Sequence, residues 1–102
     1  MLRSNKKNLP SLGSFATFEV AAKHLSFTAA ARELNVSQTA ISQHIRYLER
    51  ALELSLFVRK HNSLELTPQG SQLLKCVSEG LGSISSGVMQ LCGERKLALV
   101  QA

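Results

Sequence analysis

The chain has no tryptophan, one tyrosine and four phenylalanines among its 102 residues. Rows of exposed aromatics, on which single-stranded nucleic acids stack, are therefore not expected. Two cysteines are too few for a disulfide scaffold. Cys76 and Cys92 have no His or Cys nearby at metal-ligand spacing. Sixteen residues along a helix turn them about 160° apart, so they read as free thiols, buried or half-buried. No apolar run approaches the ~20 residues needed to cross a bilayer. Met1-Leu2-Arg3-Ser4-Asn5-Lys6-Lys7 is basic but leads into no continuous apolar segment, so no secretory signal is expected. The expected location is cytoplasmic, at the nucleoid, with no membrane partner.

Acid is also scarce. Seven Asp and Glu stand against twelve Lys and Arg, a formal net charge of +5. Such a surplus suits a polyanionic partner, because neutralising phosphates releases condensed counterions. Ordinary solubility charge accounts for it equally well. Ser/His/Asp and Cys/His sets, paired carboxylates beside a cleft-forming loop and Gly-rich phosphate cradles are all missing. An enzyme is not expected, and no catalytic residue, metal or cofactor is assigned. Hydrophobic residues make up 44% and charged residues 19%, enough for one folded domain with a modest core.

The first ten residues, ending at Pro10, read as a flexible basic arm. Ser11 or Gly13 opens a helix whose apolar stripe is Leu12, Phe15, Phe18 and Ala22, with Val20 beside it; it ends near His24-Leu25. His24 is expected to meet the terminal carbonyls of that helix. Ser26 and Thr28 offer N-cap hydroxyls for a second, short helix closed by Asn35, a residue tolerant of left-handed backbone. Ser37 starts a third helix, with Val36 and Ile41 spaced as a hydrophobic staple. Ala40, Ile41, Ile45, Leu48 and Leu52 carry it to about Leu52-Glu53. Leu56-Phe57-Val58-Arg59 and Leu64-Glu65-Leu66-Thr67 flank Lys60-His61-Asn62-Ser63 as a small hairpin, which must pack on the helices to persist. Thr67 as N-cap and Pro68 at the first position then start a fourth helix.

Residues 28–45 fit a helix-turn-helix. Ala31 lets the two helices approach, Leu34 is expected to enter the core, Asn35 takes the positive-φ turn position and Val36 plugs the turn. Ile41 and Ile45 anchor the second helix from below. Gln38, Thr39, Ser42, Gln43 and Arg46 are left on the outward face, where a recognition helix needs hydrogen-bonding side chains for base edges. His44 lies beside that face, either solvated or reaching a phosphate. A polar face of this kind is also ordinary solvated surface. The hairpin downstream raises the functional reading: Arg59, Lys60 and His61 at its tip would meet the DNA backbone or minor groove.

On the fourth helix Leu74, Val77, Leu81, Ile84, Val88 and Leu91 are spaced 3, 4, 3, 4, 3, an a/d seam. Gly80, Gly82 and Gly87 interrupt it and together cost roughly 2–3 kcal/mol relative to Ala. A helix so weakened needs a partner along its seam, and a dimer is expected.

The residues Phe18, Ala21-Ala22, Leu25-Ser26-Phe27-Thr28, Ala30-Ala31, Leu34, Val36-Ser37-Gln38, Ala40-Ile41-Ser42, Ile45, Leu48-Glu49, Leu52, Leu56-Phe57, Arg59 and Leu66-Thr67-Pro68-Gln69-Gly70 resemble the N-terminal DNA-binding domain of the LysR-type transcriptional regulators. The phrase Lys23-His24-Leu25-Ser26-Phe27-Thr28 is similar to the branch that includes regulators of glycine cleavage and β-lactamase induction. The resemblance implies a mainly α fold: a winged helix-turn-helix of three helices and a two-stranded wing over 11–67, after a basic arm at 1–10. A linker and dimerisation helix over 68–93 would follow, then a truncated start of an absent effector-binding domain over 94–102. In that last stretch, Lys96 to Gln101 resembles the first strand of such a domain.

The resemblance also implies a homodimer on double-stranded DNA, its recognition helices in successive major grooves of an interrupted palindrome. The full-length protein would be a tetramer, with a small-molecule effector acting only through the absent domain. Residue by residue, Gln38, Thr39, Ser42 and Gln43 would read base edges. Ser26, Thr28, Ser37, Arg46, Arg59, Lys60 and His61 would hold backbone or minor groove, assisted by helix N-termini. Three positions depart from the family pattern. Gln43 stands where Arg is common, Thr39 where Pro is frequent, and Glu53 where Gly usually follows Leu52, so the turn into the wing is expected to be strained or reshaped.

Overall fold

The computed structural model describes the backbone of residues 9–101 and the side chains of 9–93. The basic arm expected at 1–10 lies, up to residue 8, outside the described residues. Four helices and one hairpin follow in the order α1 (Leu12–His24), α2 (Phe27–Leu34), α3 (Gln38–Leu52), β1 (Phe57–Lys60), β2 (Ser63–Leu66) and α4 (Pro68–Gln101).

Each helix begins at a hydroxyl. Ser11, Ser26 and Ser37 accept from the backbone N–H groups of Ser14, Ala29 and Ala40, and Thr67 accepts from Gly70 N–H at 2.9 Å. Each bond satisfies one of the donors that a first turn leaves without a partner. The helix ends share a second device, a residue in left-handed backbone: Leu25 (φ 50°), Asn35 (φ 59°) and Glu53 (φ 57°).

Helices α1, α2 and α3 pack on one another, and the hairpin closes one side. Their core is Phe18, Ala21, Ala22, Ala30, Ala31, Ile41, Ile45 and Leu48, extended by Leu56, Phe57 and Leu64 from the wing and Val77 from α4. Full burial of side chains such as Phe18, Ile41, Leu48 and Leu56 stabilises the fold by about 1.5–3 kcal/mol each. The alanines let α1, α2 and α3 approach closely. Leu34 does not enter this core, contrary to the expectation, and stays 37% exposed; Val36, expected to plug the turn, is 47% exposed. α2 is only 8 residues long and buries Ala30 and Ala31, so its last residue and the turn beyond it lie at the rim. Leu12 is exposed as well, and Phe15 faces α4.

Strands β1 and β2 pair antiparallel, Phe57 with Leu66 and Lys60 with Ser63. The turn is His61-Asn62, with Asn62 left-handed at φ 59°. At the junction of wing and α4, Thr67 Oγ1 donates to the Ser55 carbonyl at 2.6 Å. A Cβ on Gly70 would stand 2.2 Å from the Leu56 carbonyl oxygen, so only glycine lets the two segments touch there.

The α4 seam is divided. Val77 is buried in the chain's own core, and Leu74 and Leu81 pack against it. Ile84 is 49% and Leu91 88% exposed. The expectation that the whole seam faces a second chain is corrected for its first half, because α1 already covers that face. Ser78 Oγ donates to Glu19 Oε2 across the contact at 2.8 Å. Cys76 and Cys92 are exposed rather than buried; Cys76 lies at the edge of the α1–α4 contact, in a groove with Leu12 and Phe15. The helix breaks at Gly93 (φ 79°, ψ 164°), and the backbone beyond it is helical. The expected extended stretch over Lys96–Gln101 is not observed; with no neighbouring strand among the described residues, its N–H and C=O groups pair along the helix instead.

Candidate nucleic-acid interface

The α2–α3 pair owes its angle to a tight turn. Asn35 N–H reaches the Arg32 carbonyl at 3.3 Å, and Val36 N–H reaches back to Ala31 at 3.0 Å. This paired closure satisfies the last carbonyls of α2. Two residues later Ser37 caps α3. With Ile41, Ile45 and Leu48 buried, a rotation of about 100° per residue turns Thr39, Gln43, Arg46, Tyr47 and Arg50 outward, all exposed. Tyr47 and Arg50 had not been singled out from the sequence, although Arg50 falls four residues after Arg46 on the same ridge.

Between α3 and the wing the surface is concave. A groove of about 750 Å³ is lined by Leu25, Ser26, Phe27, Thr28, Gln38 and wing residues 59–64. A smaller hollow of about 210 Å³ adjoins it, lined by Phe27, Ser42, Ile45, Arg46, Glu49, Phe57, Arg59 and Leu64. The structure thus brings Ser26, Thr28, Gln38, Arg59, Lys60 and His61 to one groove, with Ser42 and Arg46 next to it. Gln43 lies on the other flank of α3 with Ser11, Ser14, Ala40, His44 and Tyr47. Ser37 and Thr39 are exposed but line none of these hollows.

Arg59 is not at the wing tip, as the sequence suggested. The two-residue turn is one step further, and Arg59 pairs in register with the buried Leu64. Its guanidinium carbon sits 5.7 Å from the centroid of the Phe27 ring. Lys60 Nζ is 3.7 Å from Glu65 Oε1. Among the described residues no acidic group lies within ion-pair distance of Arg46 or Arg59. Glu49 lines the same hollow but turns its carboxylate to the Leu56 and Phe57 amides. Two cations outside ion-pair distance of it, beside hydroxyls and amides, make a face suited to an anionic, hydrogen-bonding ligand.

The wing is seated by α3 itself. The Glu49 carboxylate accepts from Leu56 N–H at 2.8 Å and from Phe57 N–H at 3.3 Å. Glu49 is among the residues that match the family pattern, but helical periodicity alone gives it no role beyond a solvated surface position. His24, expected at helix-end carbonyls, instead bonds Glu33 on α2, with Nε2 2.6 Å from Oε1. Among the described residues no cluster of three or more His, Cys, Asp or Glu could hold a metal, and no helix is long and apolar enough to cross a membrane.

Comparison with known proteins agrees with this geometry. The chain is 52% identical over 68 residues to the HTH-type transcriptional activator AmpR of Citrobacter freundii, covering 67% of this chain and 23% of the relative. It is 41% identical over 85 residues to the glycine cleavage system transcriptional activator of Escherichia coli K12, covering 83% and 28%. The chain therefore spans about a quarter of the length of the curated relatives it matches. Among solved structures it is similar to BenM_DBD in complex with catB site 1 DNA, with a TM-score of 0.77, 26% identity and coverage of 80% and 91%. A Corynebacterium glutamicum OxyR C206 mutant matches with a TM-score of 0.76 and 30% identity over 83% of this chain and 27% of that one. A family model described as bacterial regulatory helix-turn-helix protein, lysR family, matches residues 12–71. The chain belongs to that family, and its winged helix-turn-helix is a DNA-binding domain of the LysR type.

Proposed function

We propose that this domain binds double-stranded DNA sequence-specifically as a homodimer on an interrupted palindrome, as part of a cytoplasmic transcriptional regulator. Each α3 enters a major groove. Gln38, Thr39, Ser42 and Gln43 meet base edges there, the uncharged amides favouring adenine where an arginine would favour guanine. Ser26, Thr28, Ser37, Arg46, Arg59, Lys60 and His61 hold phosphates or the neighbouring minor groove. The observation that carries the reading is the concave face between α3 and the wing, where Arg46 and Arg59, in no ion pair among the described residues, stand beside hydroxyl and amide side chains.

The exposed Ile84 and Leu91 of α4, with Val88 between them, support pairing with a second copy. Leu74, Val77 and Leu81 contribute by holding α4 against α1. In a full-length protein, a C-terminal domain would carry a small-molecule effector site and assemble dimers into a tetramer.

A gel-shift titration of the chain against a pool of genomic duplex fragments tests the proposal. Retention of a subset of duplexes that persists with added salt and excess single strand is expected. Indifference to every duplex at low ionic strength would leave α4 as a protein-docking helix and the charge as incidental.

A further inference from the structure

We infer that Phe27 is a positioning residue for DNA contact, its ring holding the Arg59 guanidinium in the cleft between α3 and the wing. The inference rests on the reading of the wing given above. Alternation along β1 puts Phe57 and Arg59 on the same face of the hairpin. That face is turned toward the helices, since Phe57 and the cross-strand neighbour Leu64 are both buried. The long Arg59 side chain therefore leaves the inner face of the wing across Phe27, at 5.7 Å from the ring centroid.

The ring is itself fixed. Phe27 is the first residue of α2, directly after the capping Ser26, and it meets Phe57 edge-on at 5.4 Å and 88°. Phe57 in turn meets Phe18 at 5.7 Å and 61°, and Phe18 is fully buried. Three rings thus run from the core to the cation. Among the described residues no carboxylate lies within ion-pair distance of the guanidinium. Glu49, which lines the same hollow, is held by the Leu56 and Phe57 amides, so the Arg59 donors remain for a ligand. Arginine loses much rotamer freedom on binding, and a side chain already held on a ring loses less.

An exposed cation–π contact corresponds to about a two- to fivefold change in affinity. The test titrates a fluorescent duplex, selected from a random pool by the unmodified chain, with that chain and with Phe27→Leu, Phe27→Tyr, Arg59→Ala and the Phe27→Leu/Arg59→Ala double variant. Thermal unfolding is recorded in parallel. Phe27→Leu, which keeps the apolar contact with Phe57, is expected to weaken binding by that factor, and Phe27→Tyr is expected to restore it. In the Arg59→Ala background, Phe27→Leu is expected to change nothing further. Independently of any variant's folding, the Arg59 side-chain protons of the unmodified chain are expected upfield of their usual NMR positions through the ring current. Equal losses from Phe27→Leu in both backgrounds, or unshifted Arg59 protons, would overturn the inference alone. A chain that ignores all duplexes, or an Arg59→Ala chain that binds like the parent, would remove the wing reading and the inference together.

Discussion

Glu49 of α3 holds Leu56 by its backbone N–H at 2.8 Å, and the same carboxylate reaches Phe57 N–H at 3.3 Å. The Glu49 side chain therefore ties α3 to the wing's main-chain amides at the point where β1 begins. Glu49→Ala leaves two amides without this acceptor in a half-buried position. A loss of about 1.5–3 kcal/mol is expected, the range for hydrogen bonds to charged groups, and urea unfolding measures it. An unmoved midpoint would mean that the wing is seated by Phe57 and Leu64 alone.

Glu53 ends α3 in left-handed backbone, at φ 57° and ψ 40°. Its N–H and that of Leu54 bond the Arg50 and Glu49 carbonyls at 3.3 and 3.1 Å. A side chain with a Cβ is strained there, and glycine is not. Glu53→Gly is expected to stabilise the domain by about 0.5–1 kcal/mol, the relieved strain less the extra freedom of glycine in the unfolded chain. Glu53→Ala should bring no such gain. Denaturant midpoints for the two variants separate backbone strain from loss of charge.

Lys60 lies 3.7 Å from Glu65 across the exposed wing. DNA phosphate and Glu65 would compete for the same ammonium. Glu65→Gln is expected to raise duplex affinity by up to about fivefold at low salt, the scale of an exposed pair. Lys60→Ala should weaken all sequences alike and reduce the slope of log K against log salt by roughly one. An unchanged slope would place Lys60 away from phosphate.

Ile84 and Leu91 stay exposed while Val77 is buried in the chain's own core, and this decides how dimerisation is tested. A charge at Val77 or Leu81 would damage the fold whether or not a dimer exists. Ile84→Asp and Leu91→Asp should leave thermal stability of the winged domain unchanged. Both should sediment as monomers, with specific binding lost through halved valence. A parent chain that already sediments as a monomer at the concentrations where it binds would contradict the dimer.

Local chemistry was legible in the sequence where it acts over a few residues. The hydroxyl caps at Ser37 and Thr67 marked two helix starts, and the polar Lys60–Ser63 connection placed the hairpin. The pairs Ser11 or Gly13 and Ser26 or Thr28 narrowed the other two starts, whose caps fall at Ser11 and Ser26. Partners distant in the chain were not legible. Periodicity marks Val77 and Leu81 as one face of a helix but does not say that α1, rather than a second chain, covers them. Leu34 and Val36 are apolar and yet remain at the rim, because exposure depends on where a short helix stops. The Glu49 anchor and the Arg59–Phe27 contact join residues that only the tertiary fold brings together. Periodicity puts Gln38 and Gln43 on one outward face of α3, but only the fold shows that Gln38 lines the groove with the wing while Gln43 lines a separate hollow with α1 residues.

Selection of duplexes from a random pool, run side by side with the parent chain and with Gln43→Ala, tests base reading by α3 most directly. The parent should enrich two similar half-sites in inverted orientation. Gln43→Ala should lose discrimination at one base pair per half-site, with a loss of about 1–3 kcal/mol on the parent's preferred duplex. Identical enrichment by the two proteins, or none by the parent, would contradict the assignment.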